Sequence, residues 1–432
     1  HSKTVQLKCI RRGLRGSAFQ NERDYMGVFK MSALYTNYAP SVPQGRLGII
    51  AMKGSEAFAQ KVNDYIVDCR RNRAYKGIEE EDSLHFDGYK KDSYLIDVSL
   101  PRFSTGEGKG VVCQTIRGYD LFIVADCFNY HETYHMYDLK DADGKPLEVP
   151  MSPDDHFADL KRVISACAGK ARRITVIMPM LYEGRQHKRS ARESLDCALA
   201  LQELESMGVS NIITFDAHDP RVQNAIRISF ESVSPTYQMI KALAKSVDNN
   251  IKFIPEKTMM ISPDEGGMSR CVYYSQVLGI ELGMFYKRRD YSRVINGRNP
   301  ILAHEFLGDN VEGKDVIVVD DMISSGDSIL DVCRQLKGLK ANRIFVFSTF
   351  GLFTSGLERF DEAYKEGLFN KIFTTNLVYS SDELLKREWH GTVDMSKYCA
   401  FIIDTLNHDG SVSVFLDPVQ KINDYMEKYD LK

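Results

Sequence analysis

Cysteine pairs, long apolar runs, a dominant charge and tryptophan are scarce or missing in this sequence of 432 residues. The nine cysteines stand singly, at Cys9, Cys69, Cys113, Cys127, Cys167, Cys197, Cys271, Cys333 and Cys399, and no CxxC pair occurs. That argues against a zinc ribbon or a thioredoxin-type redox site. Free cysteines inside apolar segments act as small core residues, and a reducing, cytoplasmic location fits them best. No apolar run approaches the ~20 residues needed to span a bilayer, and the N-terminus lacks the charged-then-apolar pattern of a signal peptide. Fifty-six basic and 59 acidic side chains leave a net charge of −3. So weak a balance gives no global field to recruit nucleic acid or an anionic membrane, and neither is expected as a partner. The single Trp389 offers no functional clue.

What remains is the composition of a folded protein, 43% hydrophobic and 27% charged, at a length suited to two or three domains. Short β-branched runs alternate with helical patterns. Leu47–Met52, Asp120–Ala125, Arg173–Met178, Asn211–Phe215, Thr258–Ile261, Leu282–Tyr286, Asp315–Val319, Arg343–Phe347 and Lys371–Thr375 read as strands. Their near-continuous apolar character suits a parallel sheet covered on both faces. Between them, Ser194–Met207 and Ile329–Lys337 read as helices, the second with Ile329, Val332, Cys333 and Leu336 at helical spacing. This alternation predicts an α/β fold with ligands at the carboxyl ends of the strands.

The pattern also repeats. Gly118-Tyr-Asp-Leu-Phe-Ile-Val-Ala-Asp-Cys127 matches Gly313-Lys-Asp-Val-Ile-Val-Val-Asp-Asp-Met322, and after a helix Arg173-Ile-Thr-Val answers Arg343-Ile-Phe-Val. Asn211-Ile-Ile-Thr and Lys371-Ile-Phe-Thr continue the correspondence. Two similar α/β domains in tandem follow, spanning 47–233 and 234–432 behind an N-terminal extension of 1–46. Only the second copy carries the Asp320-Asp321 pair, so the halves have diverged in role. Charge-rich and turn-rich insertions near 70–93 and 131–155 read as surface elaborations.

The segment Val316–Ser328 carries the strongest chemical signal: a buried strand ends in Asp320 and Asp321, and Ser324, Ser325, Gly326, Asp327 and Ser328 open a helix. Backbone N–H groups and the helix dipole make such a turn an anion cradle, while the two carboxylates can accept from sugar hydroxyls or face a phosphate-bound metal. A sugar phosphate satisfies both halves; a plain capped strand-to-helix turn is the alternative. Lys287-Arg288-Arg289 and Arg185-Gln186-His187 follow strands and offer cations to phosphoryl oxygens, or are solvated basic turns. Asp216 and His218, alternating near a strand end, can share one metal or phosphate environment, and Asp264 in Ser262-Pro-Asp-Glu-Gly-Gly267 is an oxygen ligand of the kind magnesium prefers.

In order, Arg102-Phe-Ser-Thr-Gly-Glu107, Arg185-Gln186, Phe215-Asp-Ala-His218, Ser262-Pro-Asp-Glu-Gly-Gly267, Lys287-Arg-Arg289 and Val319-Asp-Asp-Met-Ile323 resemble the ribose-phosphate pyrophosphokinase family, from about Leu47 to the C-terminus. The resemblance implies tandem phosphoribosyltransferase-type domains with mostly parallel sheets flanked by helices. It also implies Mg²⁺-dependent transfer of the diphosphoryl group of ATP to ribose 5-phosphate. By the matched positions Lys287 and Arg289 would be catalytic, and Phe103, Thr105, Gly106, Glu107, Arg185, Gln186 and His187 would hold ATP. His218, Asp264 and Asp216 would attend the metal, and Asp320, Asp321 and Ser324–Ser328 would hold ribose 5-phosphate. The family implies a homo-oligomer, a dimer or hexamer, with Phe103 and Glu107 offered across a subunit interface.

Several positions depart from the family's pattern. Thr105 stands where Asp or Asn is usual, His187 where Asp is expected, and Ser-Ser-Gly-Asp-Ser where Asp-Thr-Gly-Gly-Thr is common. Asp327 in particular puts a carboxylate near the phosphate, which it repels unless its side chain turns away. A non-catalytic regulatory homologue and a phosphoribosyltransferase are the competing readings; the latter has no need of the Phe-Ser-Thr-Gly-Glu, Arg-Gln and Lys-Arg-Arg segments.

Overall fold

The computed structural model describes residues 43–72, 88–289 and 301–432, with the backbone alone for 287–289 and 301–304. Most of the extension 1–46, much of the insertion near 70–93 and the loop 290–300 lie outside the described residues.

The first half contains β1 (Arg46–Ala51), β2 (Val98–Ser99), β3 (Val111–Val112), β4 (Tyr119–Val124), β5 (Thr133–Lys140), β6 (Pro146–Pro150), β7 (Arg173–Ile177), β8 (Asn211–Phe215) and β9 (Ser229–Val233). The second contains β10 (Thr258–Ser262), β11 (Glu281–Arg289), β12 (Ile301–Leu307), β13 (Asp315–Ile323), β14 (Ile344–Gly351), β15 (Lys371–Thr375) and β16 (His390–Val393). Every strand expected from the sequence is present, and the expected helices form as Asp196–Ser206 and Asp327–Gly338. The turn-rich insertion near 131–155 is an antiparallel hairpin of β5 and β6, and the Asp141 side chain accepts from the N–H groups of Asp143 and Lys145 to close its turn. Strands β9 and β16 are not apparent in the sequence because their Ser, Glu, His and Gly residues carry no apolar run; pairing to β8 and β15 makes them strands.

The repeat is visible in the sheets. The first orders its strands β1-β4-β7-β8-β9, all parallel, and the second has β10-β13-β14-β15-β16 in the same arrangement, with β11 and antiparallel β12 added outside β10. Each copy even keeps one ion pair. Arg173 at the start of β7 grips Asp120 of β4 through two bonds of 2.7 and 2.8 Å, and Arg343 before β14 grips Asp315 of β13 at 2.5 and 3.0 Å. Such fork-to-fork pairs fix the register between neighbouring strands as well as their charge.

Ile49, Phe122 and Phe215 from the first sheet share one core with Val319, Phe347 and Phe373 from the second, and each half has a further core of its own. Burying side chains of this size contributes about 1.5–3 kcal/mol each. Across this junction the C-terminal helix Ser396–Asn407 packs on Glu56–Arg71 of the first half. There Arg70, 1% exposed, donates to Asp404 (2.8 Å) and Asn407 (2.8 Å) and lies against the rings of Tyr89 and Tyr94. Asn407 in turn donates to Asp120, continuing the network into β4.

The two copies of the strand-end aspartate reach across as well. Asp126, just after β4, accepts from Phe128 N–H and, across the junction, from Tyr379 N–H, each at 2.9 Å.

Asp404→Ala strands the buried Arg70 charge and is expected to cost about 3–5 kcal/mol in urea unfolding. Lys340→Ala, which breaks an exposed pair with Glu312, should cost less than about 1 kcal/mol. A pH effect follows from Asp126, whose carboxyl is pushed up to about 6 by burial from an ordinary 3.8. Its folded value is above its unfolded one, so its stabilisation is complete below about pH 3.8 and is lost as the pH rises through about 6. Unfolding of wild type and Asp126→Asn across that window should show the wild type losing stability relative to the variant as pH rises.

Candidate functional site

In the second sheet the chain passes from β10 outward to β11 and then returns to β13 on the other side of β10. Ligands of open α/β sheets bind where connections diverge in this way, at the carboxyl ends of the strands. The Ser262–Gly267 loop leaves β10 there, and β13 brings Asp320 and Asp321 alongside it. Ser262 turns the loop by donating its hydroxyl to Asp264 C=O (2.6 Å), and the Asp264 carboxylate accepts from Gly267 N–H (3.2 Å).

The first half supplies the facing wall. After β8, Asp216 adopts a left-handed backbone conformation (φ 43°) and Ala217 N–H bonds Ser232. This bend sets His218 Nδ1 2.6 Å from Asp321 Oδ2 of the other half. Asp216 itself accepts from Arg270 at 2.8 Å and from the Thr349 hydroxyl. Arg270 comes from the helix Met268–Leu278 that opens after the Asp264 loop.

Charges in this junction are strongly perturbed. The bond to Asp321 holds the His218 imidazole above its ordinary value, outweighing burial. Burial, then the charge of Asp321, pushes the Asp320 carboxyl well above the usual range. Burial pushes Asp321 the same way, yet the His218 bond and the Arg270 charge hold it below its ordinary value. Burial likewise opposes the Arg270 charge, but Asp216, Asp321 and Asp320 more than offset it. Thus Arg270 is a cation common to three carboxylates, and it is absent from the residues the sequence singles out. Its only signal there is a cation in the first turn of a helix after an acidic glycine loop.

A cavity of about 110 Å³ opens on this cluster, lined in part by Arg185, Asp216, His218, Asp321 and Phe350. His187, from the Arg185 loop, lies beside His218 without lining the cavity, its ring 5.3 Å from that of His218 and its Nε2 3.6 Å from Asp219. Arg221 clamps Asp219 and holds its carboxyl down at about 2. Gln186 contributes a backbone N–H bond to Glu183 C=O.

The Ser324–Ser328 loop follows β13. Gly326 has φ 85°, and a Cβ there would lie 2.1 Å from the Phe360 ring, so only glycine fits. Ser324 Oγ lies 3.3 Å from Thr354 Oγ1. The Ser325 hydroxyl donates to Asp327 (2.8 Å), and Arg359 pairs with Asp327 at 2.7 Å. The helix Asp327–Gly338, which takes in Ser328, then carries its N-terminus toward the loop.

Asp216 and the Phe103 loop each have further partners. Asp216 lines the cavity beside His218, and its two carboxylate oxygens accept from Arg270 and Thr349. Among the described residues no group of three His, Cys, Asp or Glu is set to hold a metal ion. The loop of Phe103, Thr105, Gly106 and Glu107 has no residue lining this cavity. It is anchored by Arg102, which pairs with Asp159 (2.7 Å) and lies over Tyr134 of β5, and it bonds the hairpin through Ser104 C=O and Asp138 N–H. Phe103 projects from it 57% exposed, while Thr105 donates to Glu107 at 3.0 Å. Lys287 and Arg289 lie on β11, paired in backbone register with His304 and Ile301; their side chains fall outside the described residues.

Comparison with known proteins agrees with this architecture. The family profile for the N-terminal domain of ribose phosphate pyrophosphokinase matches residues 47–208, and that for the phosphoribosyl transferase domain matches 230–368. The chain is 25% identical over 329 residues to a ribose-phosphate pyrophosphokinase of Vibrio parahaemolyticus, covering 75% of this chain and 92% of that one. It is 24% identical over 332 residues to the Staphylococcus epidermidis protein of the same name, covering 76% and 84%. A solved phosphoribosylpyrophosphate synthetase from Mycobacterium smegmatis superposes with a TM-score of 0.64 at 18% identity, over 84% of this chain and all of that one, and so shares its fold. By profile, order of motifs and two-sheet architecture, this chain belongs to the ribose-phosphate pyrophosphokinase family.

Proposed function

We propose that the protein transfers the β,γ-diphosphoryl group of ATP to the 1-hydroxyl of ribose 5-phosphate, giving 5-phosphoribosyl 1-pyrophosphate and AMP. The observation that carries this reading is the meeting of His218 with Asp321 at the switch point of the second sheet, beside Asp320, Asp264 and the Ser324–Ser328 loop. One crevice then offers an anion cradle for a sugar phosphate, carboxylates for its hydroxyls and an acidic environment for a hard cation.

No nucleophile of the protein is required, because the sugar hydroxyl attacks. The work left to the chain is alignment and charge compensation in an in-line displacement. Asp320 and Asp321 accept from the ribose hydroxyls, and the loop N–H groups hold the 5-phosphate. Arg185, Gln186 and His187 hold ATP, and Lys287 and Arg289 at the end of β11 stabilise charge on the transferring group. Among the described residues no three His, Cys, Asp or Glu groups are set to hold Mg²⁺ by themselves, so the ion would be held largely by the phosphates of ATP, with Asp264 and His218 as the residues to attend it. When bound, Mg²⁺ offsets the negative charge of the phosphoryl oxygens. The exposed Phe103 and its neighbour Glu107 complete the ATP site of a second copy, making the active form a homo-oligomer. Among the described residues no helix is long and apolar enough to cross a membrane, which is compatible with a cytoplasmic enzyme.

AMP formation from ATP and Mg²⁺, with and without ribose 5-phosphate, tests the reading. The wild type should make AMP only with the sugar, and Lys287→Ala should lower the rate by about 10²–10³. A folded, ATP-binding wild type that makes no AMP would favour a regulatory homologue. Arg270→Gln leaves three carboxylates without their common cation; it should abolish AMP formation and lower the melting temperature, while Arg270→Lys restores part of both.

A further inference from the structure

The phosphate loop contains an anion of its own. Asp327 is the first residue of the helix Asp327–Gly338, where the helix dipole favours negative charge. Its carboxylate takes the Ser325 hydroxyl on one oxygen (2.8 Å) and Arg359 on the other (2.7 Å). Arg359 reaches in from the neighbouring helix Glu358–Lys365, and its Nη1 also donates to Ser325 C=O at 3.1 Å. A guanidinium, a hydroxyl and a helix start are the donors that a phosphate would use. Here a side chain already occupies two of them. Both partners are open to solvent, with side chains 68% exposed for Asp327 and 39% for Arg359, so exchange needs no repacking of the core.

We propose that Asp327 is an internal competitor for the 5-phosphate: its carboxylate holds Arg359 and Ser325 until the phosphate displaces it, and so sets the affinity of this loop for ribose 5-phosphate. Arg359 is thereby a phosphate ligand held in waiting. This rests on the phosphate-loop reading of the preceding subsection and adds a residue from outside the loop, together with the sign of Asp327's effect. The carboxylate of Asp327, at a position where glycine is common, then has a function: it weakens substrate capture and leaves Arg359 correctly placed.

Calorimetric titration of the full chain with ribose 5-phosphate, inorganic phosphate and unphosphorylated ribose tests the proposal without depending on catalysis. Asp327→Asn should bind ribose 5-phosphate about two- to fivefold more tightly, the scale of one exposed charge interaction. Inorganic phosphate should follow the same direction, and ribose should not change. Arg359→Gln should weaken ribose 5-phosphate by about tenfold or more, and loss of Asp327 should tighten binding less in the Arg359→Gln background than in the wild type. Asp327→Ser is the second variant should Asn disturb folding, with melting temperature as the control. Unchanged or weaker binding by both Asp327 variants overturns the competitor role and makes Asp327 a strut for Arg359. No binding of ribose 5-phosphate by wild type or variants overturns this inference and the phosphate-loop reading together. Tightening by Asp327→Asn in a protein that forms no AMP upholds the competitor and removes only the synthetase activity.

Discussion

A guanidinium held among three carboxylates is the constraint on which the site depends. Arg270 leaves the helix that follows the Asp264 loop, bonds Asp216 at the end of β8, and faces Asp320 and Asp321 at the end of β13. Without a cation there, acidic groups from two sheets would repel one another inside the junction. With it, the left-handed turn at Asp216 is pinned and His218 falls within 2.6 Å of Asp321. The geometry of the site is thus a consequence of how the protein solves a charge-burial problem.

The two halves solve related problems with equivalent residues. Asp126 and Asp321 occupy matching places at the ends of β4 and β13, and each reaches into the opposite half. Asp126 meets a backbone N–H of the segment after β15; Asp321 meets the histidine after β8, the strand that corresponds to β15. One contact is a buried cap that stabilises the junction, and the other is a charge-assisted bond open to a cavity. Divergence of a duplicated unit therefore acted on what the aspartate faces, while its position in the fold stayed the same. The absence of a second carboxylate beside Asp126, where Ala125 stands against Asp320, is the sequence trace of that division.

The Ser324–Ser328 loop shows how a departure from a family pattern can be absorbed locally. Asp327 would repel an approaching phosphate, yet its side chain finds Arg359 and Ser325 within hydrogen-bonding distance. The glycine beside it is held by stricter means, since the Phe360 ring leaves no room for a Cβ at Gly326. Steric exclusion fixes one residue, whereas a nearby counter-charge tolerates the other.

The sequence by itself determined most of the strands that became the two main sheets, the tandem repeat, and the carboxylate-to-serine turn after β13. Continuous apolar runs such as Val316–Val319 admit few alternatives, because both faces of a parallel strand are covered. Strands β9 and β16 are illegible there because their residues become strand-like only through pairing with β8 and β15. Tertiary structure alone decided that Arg270 would serve three carboxylates, that Asp216 would be an anchor, and that Phe103 would project outside the cavity that Arg185 lines in its own chain. Local pattern fixes an element because neighbouring residues share a periodicity. It cannot fix which charges meet, because Asp216, Arg270 and Thr349 are separated by scores of residues and come together only when the sheets close on a common core.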